Sequence, residues 1–200
     1  MKRVISNKNN LQILFEDNHL IAINKRCGDI VQGDKTGDSP LSDIVKSYIK
    51  TKYSKQGNVY LGTPHRLDRP TSGVVIFAKT SKSLVRLNKL FKSGKVQKFY
   101  WAITKQKPGK LQDTLTHWLR KNEKNNKSTH FKKETERAKK AVLHYKIIKE
   151  LDRYFLLQIE LETGRHHQIR CQLSAIGCPI KGDLKYGYDR SNNDGGIDLH

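Results

Sequence analysis

The chain has 200 residues, 36% hydrophobic and 8% aromatic, so one domain over residues 1–200 can bury a core without disulfides or metal. Its 39 basic residues against 19 acidic ones give a net charge of +20, which favours a polyanion such as RNA as partner. The three cysteines form no C-x-x-C pair and indicate neither a disulfide framework nor a zinc site; free thiols fit a reducing cytoplasm. The apolar stretch after the polar N-terminus is too short for a signal peptide or a membrane span.

Short strands and two helices are predicted for the first half of the chain. Runs of apolar, often β-branched residues predict strands at residues 11–15, 19–24, 59–61 and 74–79. Ser39 and Pro40 predict a helix start with Ser39 as the N-cap, because apolar residues then recur at helical spacing as far as Ile49. A second helix follows Thr80 or Ser81, either of which can cap it.

The second half opens with a predicted strand at residues 96–104 and holds two more at residues 141–149 and 154–162. Residues 105–140 differ in composition, because they are polar and dense in lysine. They predict a projecting basic hairpin or long loop within the same domain, and such long segments are often functional.

The last predicted helix opens at Thr163 and Gly164 and is closed by Gly177. On that helix the adjacent His166 and His167 are expected to point in different directions. A two-histidine metal site is therefore not indicated, since it needs spacing of four residues.

Asp68 lies between Arg66 and Arg69 in a loop just before a predicted buried strand. Pro64, Pro70 and Gly73 punctuate this loop, so its backbone is expected to be rigid. A carboxylate flanked by two arginines is most often part of a local salt bridge. A rigid loop on a scaffold is also where catalytic groups tend to lie. The electropositive setting favours the ionised carboxylate. From the residues alone, Asp68 is thus either structural or catalytic.

Four stretches of the chain carry a recognisable pattern in a fixed order. They are His65-Arg66-Leu67-Asp68-Arg69-Pro70-Thr71-Ser72-Gly73 with Ala78-Lys79, then Lys98-Phe99-Tyr100-Trp101-Ala102, then Gly164-Arg165-His166-His167-Gln168-Ile169-Arg170, and finally Gly177-Cys178-Pro179-Ile180-Lys181-Gly182-Asp183 with Tyr186-Gly187. Together they resemble the motifs of the RluA family of pseudouridine synthases, over residues 11–200. The chain resembles compact members without an S4-like domain. Relatives usually add strands after residues 197–200, so we expect a truncated or minimal C-terminus.

The resemblance implies a fold and a reaction. The implied fold is α+β, with a mixed, mainly antiparallel sheet, flanking helices and a projecting basic loop. The implied reaction isomerises uridine to pseudouridine in rRNA, tRNA or both. Asp68 would attack the sugar C1′ or assist elimination to a glycal, much as carboxylates act in glycosidases. Arg170 would pair with Asp68, Tyr100 would stack on the base and accept the final proton, and Ile169 would line the uracil pocket.

The resemblance also implies how RNA is bound. A uridine in a stem must leave the base stack before chemistry. Arg66 would then occupy the space of the flipped base, and Arg165 would bind phosphate. The other expected RNA-binding residues are Arg69, His166, Lys121, Lys124 and Lys127.

We expect no cofactor and no metal, because substrate and product are isomers, and we expect a monomer that binds no membrane. Two alternatives remain open at this stage. One is a catalytically silent RNA-binding protein on the same scaffold. The other is a metal-dependent nuclease with Asp68 as a ligand, a chemistry that needs clustered carboxylates. Asp29, Asp34 and Asp38 lie in one loop, but their spacing lacks the glutamate of an EF-hand.

Overall fold

The computed structural model describes residues 4–33 and 37–200. The chain divides into two compact units: residues 1–95 with 193–196, called unit 1, and residues 96–192 with 197–200, called unit 2. All strand pairs in the described residues are antiparallel, and helices accompany both sheets. The predicted α+β fold with a mainly antiparallel sheet is confirmed.

Unit 1 contains a three-stranded sheet in the order β1-β2-β3 and two helices. Its elements are β1 (Ile13–Glu16), β2 (Leu20–Lys25), α1 (Leu41–Lys52), β3 (Gly73–Ala78) and α2 (Ser81–Lys92). Residues alternate between buried and half-buried along β2, so Ile21 and Ile23 share one buried face. They join the buried apolar residues of α1 and β3 in one core.

The two helix starts of unit 1 differ from each other. Thr80 caps α2 as predicted, since its side chain accepts from the Ser83 N–H in a capping box. The prediction that Ser39 caps α1 is wrong, because Pro40 is the N-cap and makes no side-chain cap bond. The first helical N–H groups, of Leu41 and the next residue, instead donate to loop carbonyls at 2.7 and 3.2 Å.

Unit 2 contains a five-stranded sheet in the order β4-β8-β7-β5-β6. Its elements are β4 (Phe99–Thr104), β5 (Gln112–Asn122), β6 (Lys127–Phe131), β7 (Lys139–Glu150), β8 (Phe155–Leu161), α3 (Gln168–Ala175) and a 3-10 helix (Leu184–Tyr186). Ile169 and Leu173 of α3 share a core with the inward side chains of the sheet. Ile197 and Leu199 join this core, and the last residues pair with β4.

Two predicted elements differ from the structure, and a third takes one of its two predicted forms. Residues 59–61 form no strand, and Gly62 next to them makes only an isolated bridge to Ala78. Of the two forms considered for residues 105–140, the hairpin is present, because β5 and β6 pair with each other and β5 also pairs with β7. The last helix begins at Gln168, since His167 before it has left-handed backbone angles, φ 51° and ψ 31°. Among the described residues, every helix is too short or too polar to span a bilayer.

Candidate active-site residues

The predicted catalytic residues are divided between the two units. Asp68 belongs to unit 1, whereas Tyr100 and Arg170 belong to unit 2. Each set is built by different elements, and each is described within its own unit.

The loop that carries Asp68 runs from the Gly62 bridge to the start of β3. Asp68 is half-buried, and its carbonyl accepts from the Thr71 N–H at 3.1 Å, which closes a turn. Gly73 ends the loop with φ 134°, a backbone angle that a side chain rarely tolerates. The chain therefore reverses tightly on the C-terminal side of Asp68.

Lys25 fixes the backbone of the Asp68 loop. It lies outside the four motifs, so they did not predict this role. Its side chain is fully buried at the end of β2. The ammonium donates to the carbonyls of Arg26, Arg69 and Thr71 at 3.0, 3.2 and 2.6 Å. Two of these carbonyls lie on the C-terminal side of Asp68. The signal in the sequence was a lysine in register with Ile21 and Ile23 on the buried face of β2.

His65 anchors the other end of the same loop. Its Nε2 accepts from the Ile76 N–H of β3 at 3.0 Å, and its ring stacks on Phe91 of α2 with centroids 4.9 Å apart. Burial lowers the pKa of His65 to about 4. The ring is therefore neutral near pH 7, as an acceptor nitrogen requires.

The arginines beside Asp68 have different surroundings. Arg66 is exposed. Arg69 forms an ion pair with Asp38.

Tyr100 lies on β4, directly opposite Ile159 of β8. It is half-buried and packs against the core of unit 2, to which the buried Ile169 also belongs. The structure thus brings the predicted base-stacking residue and the predicted pocket wall to one core. Phe99 and Trp101, the neighbours of Tyr100, are more than half exposed.

Arg170 is held by a buried ion pair with Asp183, which the motifs did not predict. Its Nε and one terminal nitrogen donate to the two carboxylate oxygens of Asp183 at 2.7 and 2.9 Å, and the two side chains are 5% and 1% exposed. The Arg170 guanidinium also lies 5.0 Å from the Tyr186 ring centroid. Asp183 and Tyr186 belong to the fourth motif, but the sequence did not predict a role for either. The bidentate pair fixes the plane of the guanidinium. Pairing of Arg170 with Asp68 remains a prediction.

His166 and His167 precede α3, and the prediction that they point in different directions is wrong. Their rings stack with centroids 3.7 Å apart, because the left-handed backbone at His167 turns the chain. Ser128 of β6 contacts His166, with its hydroxyl donating to the His166 carbonyl at 2.7 Å. The Tyr186 hydroxyl lies 3.0 Å from His167 Nδ1 and accepts from the Ser128 N–H at 2.7 Å. Burial, with nearby Arg170, lowers the pKa of His167 to about 2.

The remaining predicted RNA-binding residues lie near the β5–β6 turn and near β7. Lys121 and Lys124 are exposed, and Lys121 pairs with Glu123 at 2.6 Å. Lys127 lies 5.1 Å from the Tyr186 ring centroid. Arg165 donates from Nε to the Lys140 carbonyl at 2.8 Å.

The acidic loop residues of the nuclease alternative have other partners. Asp29 is buried and accepts from the Ser6 N–H and hydroxyl at 3.0 and 2.6 Å. Asp38 pairs with Arg69, and Asp34 lies outside the described residues. Across residues 4–33 and 37–200, no three His, Cys, Asp or Glu side chains form a group that could hold a metal ion.

Comparison with known proteins gives the family. Residues 19–175 match the family model described as RNA pseudouridylate synthase. The ribosomal large subunit pseudouridine synthase C of Rickettsia felis is 37% identical over 177 residues, which are 88% of this chain and 55% of that protein. The tRNA pseudouridine synthase C of Pectobacterium carotovorum is 31% identical, over 95% of this chain and 51% of that protein. This chain thus spans about half the length of these relatives.

A solved structure titled human RNA pseudouridylate synthase domain containing 4 matches with a TM-score of 0.79 and 25% identity. The match covers 94% of this chain and 81% of that one. The resemblance to the RluA family is confirmed, and the chain belongs to the RNA pseudouridylate synthase family.

Proposed function

We propose that the chain isomerises uridine to pseudouridine in structured RNA, either rRNA, tRNA or both, with Asp68 as the essential carboxylate. The observation that carries the proposal is the construction of the Asp68 loop. A buried ammonium, a neutral histidine and a backbone turn hold the loop on both sides of Asp68. A catalytic group needs such a fixed position. Family membership and the names of the relatives support the reaction and the two classes of RNA.

The proposed chemistry conserves all atoms of the nucleotide. The bond between C1′ and N1 breaks, the uracil turns in its pocket, and a new bond joins C1′ to C5. The C5 proton leaves and N1 gains one. Asp68 either attacks C1′ or assists elimination to a glycal, and in both routes the carboxylate serves an oxocarbenium-like centre.

Two side chains of unit 2 have proposed roles in this reaction. Tyr100 would stack on the base and accept the final proton, which its half-buried position at an apolar core supports. Arg170 would favour the ionised form of Asp68. That role rests on the motif resemblance. The bidentate bond to Asp183 supports an orienting function, because it holds the guanidinium rigidly.

The proposed mode of RNA binding includes base flipping. Arg66 would fill the space that the uridine leaves, and its exposed position in the Asp68 loop supports this. The basic residues Arg69, Arg165, His166, Lys121, Lys124 and Lys127 would contact phosphates. Such contacts position RNA and carry no sequence information.

The test is Asp68→Asn, with Asp43→Asn as the matched control. Asp43 is also in unit 1, is exposed and pairs at 3.0 Å with Lys46 of the same helix. Carbodiimide treatment followed by reverse-transcription mapping of rRNA and tRNA should show new stops for the wild type and the control. We expect none for Asp68→Asn, with RNA affinity nearly unchanged.

Two results would contradict the proposal. If wild-type protein produces no stop at any uridine while it still binds RNA, the silent RNA-binding alternative is correct. If Asp68→Asn loses RNA affinity in proportion to activity, Asp68 is structural.

A further inference from the structure

Two aromatic side chains lie on the solvent side of the β5–β6 hairpin. Leu115 and Leu119 of β5 are buried, and residues of a strand alternate between its faces, so Trp118 and Arg120 lie on the opposite face. Trp118 stands directly opposite Phe131 on β6 and directly opposite Lys140 on β7. We call the surface formed by Trp118, Arg120, Phe131 and Lys140 the hairpin face.

The chemistry of the hairpin face combines rings with cations. Trp118 and Phe131 are half-buried, whereas Arg120 and Lys140 are exposed. The Arg120 guanidinium lies over the Phe131 ring, 4.9 Å from its centroid. The surrounding stretch, residues 120–133, has six basic residues and one acidic residue. The opposite face differs, because there Leu119 belongs to a buried cluster with Cys171 of α3.

A cross-strand aromatic pair can simply stabilise a hairpin. The basic surroundings of this pair point to an additional role. Like charges placed close together on one hairpin repel each other, and a polyanion relieves that repulsion. Aromatic rings beside arginine and lysine are the surface on which unpaired bases stack while their phosphates meet the cations.

We propose that the hairpin face binds unpaired nucleotides of RNA, with bases stacked on Trp118 and Phe131 and phosphates held by Arg120 and Lys140. This inference rests on the proposed function for the identity of the polyanion, and it adds a stacking contact to the phosphate contacts proposed above. Stacking accepts any base, so the face anchors RNA next to a structured target without reading its sequence.

The experiment uses Trp118 as its own reporter. The chain has two tryptophans, Trp101 and Trp118, so Trp101→Phe leaves Trp118 as the sole source of tryptophan fluorescence. Ten-nucleotide oligouridylate should quench that fluorescence as it saturates, because a stacked base quenches indole emission. Inorganic polyphosphate has the charge without the bases and should leave the emission nearly unchanged.

A second variant measures the contribution to affinity. Phe131→Leu removes the ring and keeps an apolar side chain, and Thr116→Ala is the control on an exposed position of the same face. Base stacking on a ring contributes about 1–3 kcal/mol, so Phe131→Leu should weaken oligouridylate binding by about fivefold or more. The control should bind like the wild type. Binding is followed by anisotropy of labelled oligouridylate.

The inference is overturned if oligouridylate binds the Trp101→Phe protein without changing Trp118 emission, or if polyphosphate quenches equally. Turnover is measured on the same Trp101→Phe protein, with Asp68→Asn in that background as the inactive reference. This measurement separates the binding result from the test of the reaction. Quenching without turnover in the Asp68-containing protein means that the hairpin face is right and the isomerase proposal wrong. Turnover with a silent Trp118 means the reverse.

Discussion

Replacing Lys25 with methionine should loosen the Asp68 loop. The buried ammonium of Lys25 donates to three backbone carbonyls, those of Arg26, Arg69 and Thr71. The first two carbonyls also accept from backbone N–H groups, so the loss falls mainly on Thr71. A hydrogen bond with a charged partner contributes about 1.5–3 kcal/mol net. We expect the free energy of unfolding to fall by about 2–3 kcal/mol.

The same substitution should slow the reaction more than it weakens RNA binding. Lys25 holds the carbonyls of Arg69, directly after Asp68, and of Thr71 in the same turn. A misplacement on the order of 1 Å can lower a rate by about a hundredfold. We expect Lys25→Met to reduce single-turnover pseudouridine formation at saturating RNA by at least about tenfold. Urea unfolding and turnover are both measured, under conditions in which the variant is folded.

The control for lost charge is Lys50→Met, because Lys50 is exposed on α1. It should unfold and react like the wild type. If Lys25→Met matched this control in both measurements, the inference that the ammonium fixes the loop would be wrong.

Two further substitutions test buried charges. Burial tends to raise the pKa of Glu16, but hydrogen bonds led by Lys52 outweigh it and lower that pKa from 4.5 to about 2. The ionised carboxylate, 7% exposed, should therefore stabilise the fold by about 3 kcal/mol above pH 4.5, and the effect should vanish toward pH 2. Urea unfolding should show a gap between wild type and Glu16→Gln that shrinks by more than half from pH 7 to pH 3; a constant gap contradicts this. Arg170→Lys removes the bidentate contact with Asp183. It should lower the free energy of unfolding by about 1–3 kcal/mol and slow turnover. Wild-type values in both assays would mean that the bidentate contact is unimportant.

The strands and helices that the sequence predicted well are those with local causes. Alternating isoleucines define β2, and the Thr80 hydroxyl caps α2 through a residue three positions on. Both signals act over a few residues, so they can be read without knowing the fold. The prediction failed at Ser39, because loop carbonyls from residues 30 and 31 satisfy the α1 amides in place of a side chain.

The same difference between local signals and long-range contacts applies to the candidate site. The order of the four motifs was enough to identify the family and to single out Asp68, Tyr100 and Arg170 as candidates. It did not assign roles to Lys25, Asp183 or Tyr186. Two of the three carbonyls that accept from Lys25 are 44 and 46 residues away, and Tyr186 and Ser128 are 58 residues apart. Sequence spacing does not report such contacts.

The sequence by itself determined the family of this chain and made Asp68 its candidate carboxylate, because the Asp68 loop is continuous in the chain and its residues can be recognised in order. Only the tertiary structure decided how that loop is held. A buried lysine is stable only where hydrogen-bond acceptors surround its ammonium. The carbonyls that accept from Lys25 follow β2 or precede β3, so they meet when these two strands pair in the sheet of unit 1. The stacked histidines before α3 depend likewise on a left-handed residue held by Tyr186, a partner that sequence spacing does not reveal.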